Sequence, residues 1–151
     1  MIEKFLMPQT NLHRTALNLL ARREHSQKEL FRKLLQKKFP AEEIEIVLKK
    51  LTQENLLNEN RFIENYIHFR SKKGYGPIRI QLELLERGIP EIEIEKFLSP
   101  NSAHWFQAAN HVWQKRFKNK LPTDFKTRAQ QMRFLQHRGF TIEQIEKIFF
   151  E

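Results

Sequence analysis

Apolar residues recur three and four positions apart along most of the chain, which is the spacing of an amphipathic helix. In the first such stretch, Ala16, Leu17, Leu20 and Ala21 occupy one helical face between polar residues. Later stretches have the same spacing and are separated by short segments rich in glycine, proline, serine or asparagine. The pattern therefore predicts a succession of short amphipathic helices joined by tight turns.

The helical pattern occurs three times along the chain. Residues 34–48 and 84–98 align at a shift of 50, with two leucines, a proline, an isoleucine and a leucine at matching positions. Residues 135–150 form a third copy at a shift of 101, in which Thr141 replaces the proline. Each copy contains three predicted helices, and such self-similarity is typical of proteins built from stacked helical units.

The predicted fold is all-α, with about nine helices in three tandem three-helix repeats. We place the repeats at residues 1–57, which include an N-terminal extension, 58–98 and 99–151. Residues 78–85 and 89–97 alternate apolar and charged side chains, which by itself favours an edge strand. Because the matching segments of the first repeat have helical spacing, we predict helices for both.

Residues with capping chemistry mark the ends of several helices. Ser26 with Glu29, and Thr141 with Gln144, have the spacing of a capping box, in which each side chain accepts a backbone N–H of the other residue. Both pairs therefore predict a helix that begins directly after the serine or threonine.

Proline and glycine mark further turns. Pro40 and Pro90 are predicted in the first turn of a helix, where the missing N–H has no partner to lose. Gly88 follows a predicted helix, at the position where a left-handed residue is favoured. In the third repeat, either Thr123 or Asp124 is expected to cap the helix that follows.

The composition excludes several classes of function. The 151 residues include no cysteine, so disulfides and cysteine-ligated zinc are excluded. With four glycines and no GxGxxG or GxxxxGK[ST] motif, no nucleotide-binding loop is visible. Asp124 is the one aspartate among 18 acidic residues, whereas metal-dependent phosphoryl transfer usually gathers several acidic ligands. No convergent acid, base or nucleophile set is visible, so an enzyme is the weakest of the candidate classes, and no cofactor is predicted.

The lengths of the apolar runs indicate where in the cell the protein is expected. No run reaches the roughly 18 apolar residues that a membrane-spanning helix needs, and the N-terminal apolar stretch is too short for a secretory signal. Together with the absence of cysteine, this predicts a cytoplasmic protein with no membrane partner.

Positive charge is concentrated at the two ends of the chain. The net charge of +9 divides into +1 for residues 1–15, +3 for 16–57, zero for 58–98 and +5 for 99–151. Basic clusters lie at residues 22–23, 37–38, 72–73 and 115–120. They indicate a polyanionic partner or an acidic protein surface, although solvation of helical faces is the plainer alternative for any one cluster.

The histidines and aromatic residues favour structural roles. None of the six histidines belongs to an HExxH motif, and no metal site is predicted. Trp105 and Trp113 have the spacing of a buried stripe, an interpretation we favour over stacking on nucleic-acid bases. The expected packing partners of this stripe are Phe125, Phe134, Phe140, Phe149 and Phe150. Tyr75, between two glycines, is expected to be exposed.

Four segments of the first two repeats resemble the RecX family of regulatory proteins. They are residues 16–34, 56–70, 74–89 and 90–98. The third segment is the most specific, because eight of its residues stand where the family pattern has them. These residues are Gly76, Arg79, Ile80, Glu83, Leu84, Arg87, Gly88 and Ile89.

The chain departs from the family pattern just before the Arg61–Phe62 pair. The family usually has a glycine and an aspartate-rich capping turn there, whereas this chain has Asn55, Asn58 and Glu59. Asparagine is also a good helix cap, so we expect the turn to be preserved.

The resemblance implies a non-enzymatic modulator of the RecA recombinase. Proteins of this family bind in the helical groove of the filament that RecA forms on single-stranded DNA, and inhibit its ATPase, strand-exchange and co-protease activities. The setting is homologous recombination, DNA repair and the SOS response. The resemblance further implies an elongated, curved array of three-helix units. We predict a monomer whose partner is the RecA filament, with single-stranded DNA as a further candidate partner.

The predicted contact residues are basic side chains at turns and on polar helical faces. They are Arg22, Arg23, Lys72, Lys73, Arg79, Arg87, Lys115, Arg116, Lys118 and Lys120. The alternative is a helical-repeat module that binds nucleic acid directly, since three-helix units resemble helix-turn-helix architecture in outline. Against this alternative, no single helix is markedly basic and the middle repeat is neutral.

Overall fold

A computed structural model describes residues 10–150, and within this range the chain is helical with no strand. Its nine helices have the following bounds: α1 Asn11–Arg22, α2 Gln27–Gln36, α3 Ala41–Gln53, α4 Glu59–Lys72, α5 Pro77–Glu86, α6 Glu91–Glu95, α7 Ala103–Phe117, α8 Phe125–Arg138 and α9 Ile142–Phe150. The all-α prediction is confirmed.

The local caps form as their sequence predicts. The Ser26 hydroxyl accepts the Glu29 N–H at 3.1 Å, and the Glu29 carboxylate accepts the Ser26 N–H at 3.1 Å. Thr141 and Gln144 make the same reciprocal pair at 3.1 and 2.9 Å. The Asn58 side chain accepts the Arg61 N–H at 3.0 Å, so the turn that departs from the family pattern is preserved.

Burial at the aligned positions confirms the internal repeat. The leucines of the three second helices, Leu34, Leu84 and Leu135, are each fully buried. The isoleucines of the third helices are also buried: Ile44 and Ile94 are 0% exposed and Ile145 is 3% exposed. Burying such a side chain stabilises a fold by about 1.5–3 kcal/mol. Each copy of the sequence pattern therefore stabilises the fold through the same buried positions.

The chain divides into two compact units, one ending at Phe62 and one beginning at Ile63. In the first unit, α2 and α3 pack together with α1. Their shared core consists of Leu12, Ala16, Leu30, Leu34, Ile44, Leu48, Leu51 and Leu57. The repeat boundaries expected at 57/58 and 98/99 stay predictions.

In the second unit, the backbones of α5 and α8 meet end to end. The Gly76 N–H donates to the Arg138 carbonyl at 2.7 Å, and the Ile78 N–H donates to the Gly139 carbonyl at 2.9 Å. The first N–H groups and the last carbonyls of a helix lack partners within it, so each of these helices satisfies the other. This junction joins the second repeat to the third.

The alternating segments of the second repeat are helical, as predicted from the first. Residues 77–86 form α5, but the third helix of the repeat, α6, has only five residues where α3 has 13. Gly88 has a φ of +85°, the left-handed conformation that its position predicts. Leu98 is still 3% exposed although α6 ends before it, so the apolar position is preserved without the helix.

Some predicted caps shift by one residue. Pro40 and Pro90 both have extended φ and ψ and precede the helix, so their prediction as first-turn residues is wrong. An extended conformation suits the cap position itself, and proline permits it. Of the two candidates in the third repeat, Asp124 is the cap, and its carboxylate accepts the Thr127 N–H at 2.7 Å.

The tryptophans are core residues, as favoured from their spacing. Trp105 is 1% and Trp113 is 5% exposed. Phe149 packs edge-on against Trp113, and Phe140 is buried.

Three aromatic predictions are wrong. Phe125 is 75% and Phe150 is 58% exposed, because they are the first residue of α8 and the last of α9 and lie beside the Arg128 guanidinium. Tyr75 is half-buried rather than exposed, since arginine side chains surround its ring.

Candidate functional site

A basic groove of about 370 Å³ lies between the end of α4, α7 and α8 in the second unit. Its walls are Ser71, Lys72, Lys73, Gly74, Ala108, His111, Val112, Lys115, Arg116, Phe134 and Arg138. None of these residues is acidic. We call this feature the basic groove.

The groove cations have no acidic counterparts. Lys72, Lys73, Lys115 and Arg116 are exposed and Arg138 is half-buried. Within residues 10–150, none of the five forms an ion pair with a carboxylate. Like charges gathered in this way destabilise the folded state by mutual repulsion. A bound polyanion would relieve that repulsion, which makes the groove a candidate anion site.

The Phe134 ring contacts two of the groove cations. The guanidinium carbon of Arg116 lies 5.2 Å from the Phe134 ring centroid, and that of Arg138 lies 5.0 Å from it. The ring is itself held edge-on against Phe117, with centroids 5.4 Å apart. Cation–π contacts of this kind orient a guanidinium without neutralising its charge. Both arginines are therefore positioned in advance for an anionic ligand.

Arg138 is the groove residue that the sequence did not predict. Its Nη1 donates to the Lys73 carbonyl at 3.0 Å, tying the end of α8 to the end of α4. The two residues are 65 positions apart, so no local pattern relates them. The sequence does show a basic residue in the last turn before Gly139, but a basic residue is common at the C-terminal end of any helix and does not by itself indicate a binding site.

Tyr75 lies among three guanidinium groups beside the groove. The centroid of its ring is 3.9 Å from the guanidinium carbon of Arg70, 4.6 Å from that of Arg79 and 4.9 Å from that of Arg138. The ring face is electron-rich, so it attracts these cations and separates them from one another.

Glu83 neutralises part of this cluster. Its carboxylate accepts two hydrogen bonds from Arg70 at 2.9 and 2.8 Å, one from the Tyr66 hydroxyl at 2.8 Å and one from Arg79 at 3.3 Å. Burial by itself raises the pKa of Glu83, but the hydrogen bonds from Arg70, Tyr66 and Arg79 outweigh it and leave the pKa lowered. Burial and the hydrogen bond to Glu83 raise the pKa of Tyr66 to about 12.

Arg79 and Arg87, both predicted contact residues, have partners within the second unit. Arg79 pairs with Glu83 and also donates to the His137 carbonyl at 3.2 Å. Arg87 donates to the Glu83 carbonyl at 3.0 Å and lies 4.8 Å from the centroid of the Tyr66 ring. Both arginines therefore contribute to holding α5 and its neighbours in position.

The two arginines of the first unit differ from each other. Arg22 is exposed in the last turn of α1. Arg23 makes a bidentate pair with Glu29, both contacts being 3.1 Å, and donates to the Glu24 carbonyl at 2.8 Å. Burial by itself raises the pKa of Glu29, but the hydrogen bonds from Arg23 and Ser26 outweigh it and leave the pKa lowered. Arg23 therefore supports the cap of α2.

Lys118 and Lys120 follow α7 in an exposed turn and are not among the residues that line the basic groove. Lys118 has a left-handed φ of +54°, and the Lys120 carbonyl accepts a hydrogen bond from Gln131 Nε2 at 3.4 Å. Of the ten predicted residues, the groove brings together Lys72, Lys73, Lys115 and Arg116.

Residues 10–150 contain neither a candidate metal site nor a candidate membrane span. No group of three or more histidines and acidic residues that could hold a metal ion occurs between residues 10 and 150. None of the helices in that range is both long and apolar enough to cross a membrane.

The fold and groove together define a protein of tandem three-helix domains with a cationic surface suited to a polyanion. Family models described as the first, second and third three-helix domains of RecX match residues 13–51, 58–98 and 104–149. This chain belongs to the RecX family.

Two relatives named "Regulatory protein RecX" illustrate the similarity. The protein of Pseudomonas entomophila (strain L48) is 45% identical over 137 residues, which cover 91% of this chain and 88% of the relative. The protein of Pseudomonas syringae pv. tomato (strain ATCC BAA-871 / DC3000) is 42% identical over the same shares.

Solved structures share the fold. The crystal structure of RecX from Lactobacillus salivarius has a TM-score of 0.74 at 21% identity and 91% coverage of both chains. A second crystal structure, of a regulatory protein RecX, has a TM-score of 0.76 at 23% identity, covering 91% of this chain and 70% of that one.

Proposed function

We propose that this protein is a non-enzymatic modulator of the RecA recombinase. It binds the filament of RecA on single-stranded DNA and inhibits ATP hydrolysis, strand exchange and co-protease activity, and so acts in recombination, repair and the SOS response. It works in the cytoplasm as a monomer without a cofactor. Membership of a family of regulatory proteins supports this function.

The observation that carries the proposal is the set of unpaired cations in the basic groove. A nucleoprotein filament presents phosphate and acidic side chains over a long surface, which such cations attract at long range and bind at short range. Lys118 and Lys120 extend the positive surface beyond α7. The interaction is therefore expected to weaken as the salt concentration rises.

We propose that the predicted contact residues divide into two groups. Lys72, Lys73, Lys115 and Arg116 contact the filament, together with the exposed cations Arg22, Lys118 and Lys120. Arg23, Arg79 and Arg87 have partners within the chain. They contribute to the filament-binding surface of this protein mainly by holding neighbouring groups in position.

The test is inhibition of the RecA ATPase on single-stranded DNA. We expect Lys115→Glu/Arg116→Glu to inhibit at least about tenfold more weakly than wild type, because two contacts of about 0.7 kcal/mol or more each are lost. Lys49→Glu/Lys50→Glu, an adjacent exposed pair on α3, is the control with the same change in net charge. Equal inhibition by both double variants would contradict the assignment.

Arg22→Glu tests the first unit separately. Its side chain is exposed, so the substitution leaves the cap of α2 intact, whereas Arg23→Glu would also remove the pair with Glu29. We expect Arg22→Glu to weaken ATPase inhibition while the unfolding transition stays unchanged. Full inhibition by this variant would remove Arg22 from the contact set.

The alternative function is direct binding of nucleic acid without RecA. The absence of acidic residues among those that line the groove favours it. Binding to bare single-stranded DNA and to a RecA-coated strand is compared at physiological salt. Tighter binding to the coated strand is expected for the modulator, and equal or tighter binding to the bare strand would favour the alternative.

A further inference from the structure

We propose that Tyr75 is a positioning residue for binding of the RecA filament, because its ring restricts the guanidinium of Arg138 in the basic groove. This inference rests on the proposed function and names a residue on which that function depends. Tyr75 is not among the residues that line the groove, whereas Arg138 is. Tyr75 therefore acts through Arg138 and not by touching the partner.

Four consecutive residues in the turn after α4 contact Arg138. The Lys73 carbonyl accepts a hydrogen bond from Arg138 Nη1 at 3.0 Å, and the Gly76 N–H donates to the Arg138 carbonyl at 2.7 Å. Gly74 leaves room for the guanidinium, since an added Cβ atom would lie 3.3 Å from Arg138 Nη1. The Tyr75 ring centroid lies 4.9 Å from the guanidinium carbon. This turn thus contacts both the backbone and the side chain of Arg138.

Two aromatic rings contact the Arg138 guanidinium. Its carbon lies 4.9 Å from the centroid of Tyr75 and 5.0 Å from that of Phe134. A free arginine side chain loses rotamer entropy when it binds a ligand, and contacts that restrict it beforehand reduce this cost. Cation–π contacts do so without neutralising the charge. Because a guanidinium has several N–H donors, the hydrogen bond to Lys73 leaves others for an anionic partner.

Arg138 differs from the two other arginines at the Tyr75 ring in its charge balance. Arg70 and Arg79 both pair with Glu83, at 2.8 and 3.3 Å. Arg138 forms no ion pair with a carboxylate within the described part of the chain. The one guanidinium at this ring that lines the groove is therefore also the one whose charge is available to a partner.

Inhibition of the RecA ATPase tests the role of the ring. We expect Tyr75→Leu to inhibit at least about threefold more weakly than wild type, because the loss of a cation–π contact frees Arg138. Tyr75→Phe keeps an aromatic ring and should inhibit like wild type. Phe125→Leu is the matched control, since it removes a ring beside Arg128 outside the groove, and it should also inhibit like wild type.

Variants of Arg138 show whether Tyr75 acts through it. Arg138→Leu should inhibit at least as weakly as Tyr75→Leu, and the double variant should inhibit no more weakly than Arg138→Leu alone. A merely structural role of Tyr75 would instead give losses that add in the double variant. Arg138→Lys retains the charge but not the planar guanidinium, so it should also inhibit at least about threefold more weakly than wild type.

NMR of the arginine side chains measures the positioning without RecA. In wild type and in Tyr75→Phe, ring currents should shift the Nε–H signal of Arg138 from its position in a free arginine. In Tyr75→Leu the signal should move towards that free position. Arg138→Lys leaves both rings in place, so its ATPase inhibition decides the question even if Tyr75→Leu fails to fold.

Four results would each overturn the inference: full inhibition by Tyr75→Leu, equal losses in Tyr75→Leu and Tyr75→Phe, additive losses in the double variant, or full inhibition by Arg138→Lys. In each of these cases the wild type still inhibits the RecA ATPase, so the proposed function stands. If the wild type itself does not inhibit, the proposed function fails and Tyr75 loses its role in filament binding with it. The NMR signal of Arg138 would then still test the contact between the ring and the guanidinium.

Discussion

Gly76 and Gly139 lie in direct backbone contact where α5 begins and α8 ends. A Cβ atom added to Gly76 would lie 2.5 Å from the Gly139 carbonyl carbon, and one added to Gly139 would lie 2.4 Å from Arg79 Cβ. The hydrogen bonds from Gly76 to Arg138 and from Ile78 to Gly139 need this approach. The position of the second repeat against the third thus depends on two residues without side chains.

Gly76→Ala is expected to lower the free energy of unfolding by about 2 kcal/mol or more, because backbone atoms cannot move aside as a flexible side chain can. Gly76 itself has a φ of −94°, which alanine adopts freely, so the loss would report the collision and not backbone strain. Denaturant unfolding at equilibrium measures it.

Gly74→Ala is the control for this junction. Its nearest neighbours are side chains, Arg138 Nη1 at 3.3 Å and Val112 Cγ2 at 3.4 Å, and its φ is +90°. We expect a smaller loss of about 1 kcal/mol, mainly from the left-handed backbone. An unfolding curve of Gly76→Ala that matches the wild type would show that the two backbones do not meet as described.

Glu83→Gln should destabilise the second unit by about 2 kcal/mol at neutral pH, because a carboxylate that binds Arg70, Arg79 and Tyr66 loses its charge. The pKa of Glu83 is lowered in the folded protein. Its contribution is therefore fully present above its ordinary pKa of 4.5 and is lost as the pH falls through the folded value. Unfolding curves of variant and wild type should converge on acidification.

Glu86→Gln provides the comparison for Glu83→Gln on the same helix. Its side chain is exposed, and we expect a change within about 0.5 kcal/mol. A Glu83→Gln variant whose stability follows the wild type at every pH would contradict the role given to this carboxylate.

His25 is expected to make the first unit sensitive to mild acid. It is 1% exposed, with Nδ1 3.0 Å from the Arg23 carbonyl and Nε2 2.8 Å from Lys33 Nζ, so the neutral ring donates to the former and accepts from the latter. Burial, together with the charges of Arg23 and Lys33, lowers the pKa of His25 despite its backbone hydrogen bond.

The sign of the resulting pH dependence follows from that lowering. The unfolded chain binds a proton near the ordinary pKa of 6.5 and the folded chain only below it. Stability is therefore fully present above pH 6.5 and is lost as the pH falls through the folded pKa. Histidine NMR should show His25 neutral at pH 6.5, and a charged His25 at that pH would contradict the prediction. His68→Ala, at an exposed histidine, is the control and should leave the His25 signal unchanged.

Gln131→Leu should cost the third repeat about 1–3 kcal/mol, because it leaves a buried indole N–H without an acceptor. Trp113 Nε1 donates to Gln131 Oε1 at 2.8 Å, and both side chains are 5% exposed. Denaturant unfolding followed by tryptophan fluorescence measures the loss. Gln130→Leu, at the exposed neighbouring position, should be close to neutral, and equal stability of the two variants would argue against the buried hydrogen bond.

The parts of this structure that were predicted from sequence depend on neighbours within about four residues along the chain. The capping boxes at Ser26 and Thr141 and the left-handed Gly88 are of this kind, since spacing and residue type suffice for each. The internal repeat extends the same logic, because equal apolar patterns bury equal positions such as Leu34 and Leu84.

The errors arise where a segment ends or where distant elements meet. Phe125 and Phe150 have core-like spacing, but they lie at the ends of α8 and α9, where both rings stay mostly exposed beside the Arg128 guanidinium. Tyr75 looks like a solvent-exposed turn residue, yet arginines from α4, α5 and α8 converge on its ring.

The sequence by itself determined the all-α class, the threefold repeat, the family and four of the five cations of the basic groove, since these depend on periodicity and on residue type. Only the tertiary structure decided which cations lie together and which are neutralised. Arg138 reaches Lys73 across 65 residues, whereas Arg23 and Arg79 meet carboxylates that leave them paired. The physical reason is that charge acts through distance in space, and a helical pattern specifies that distance only within its own helix.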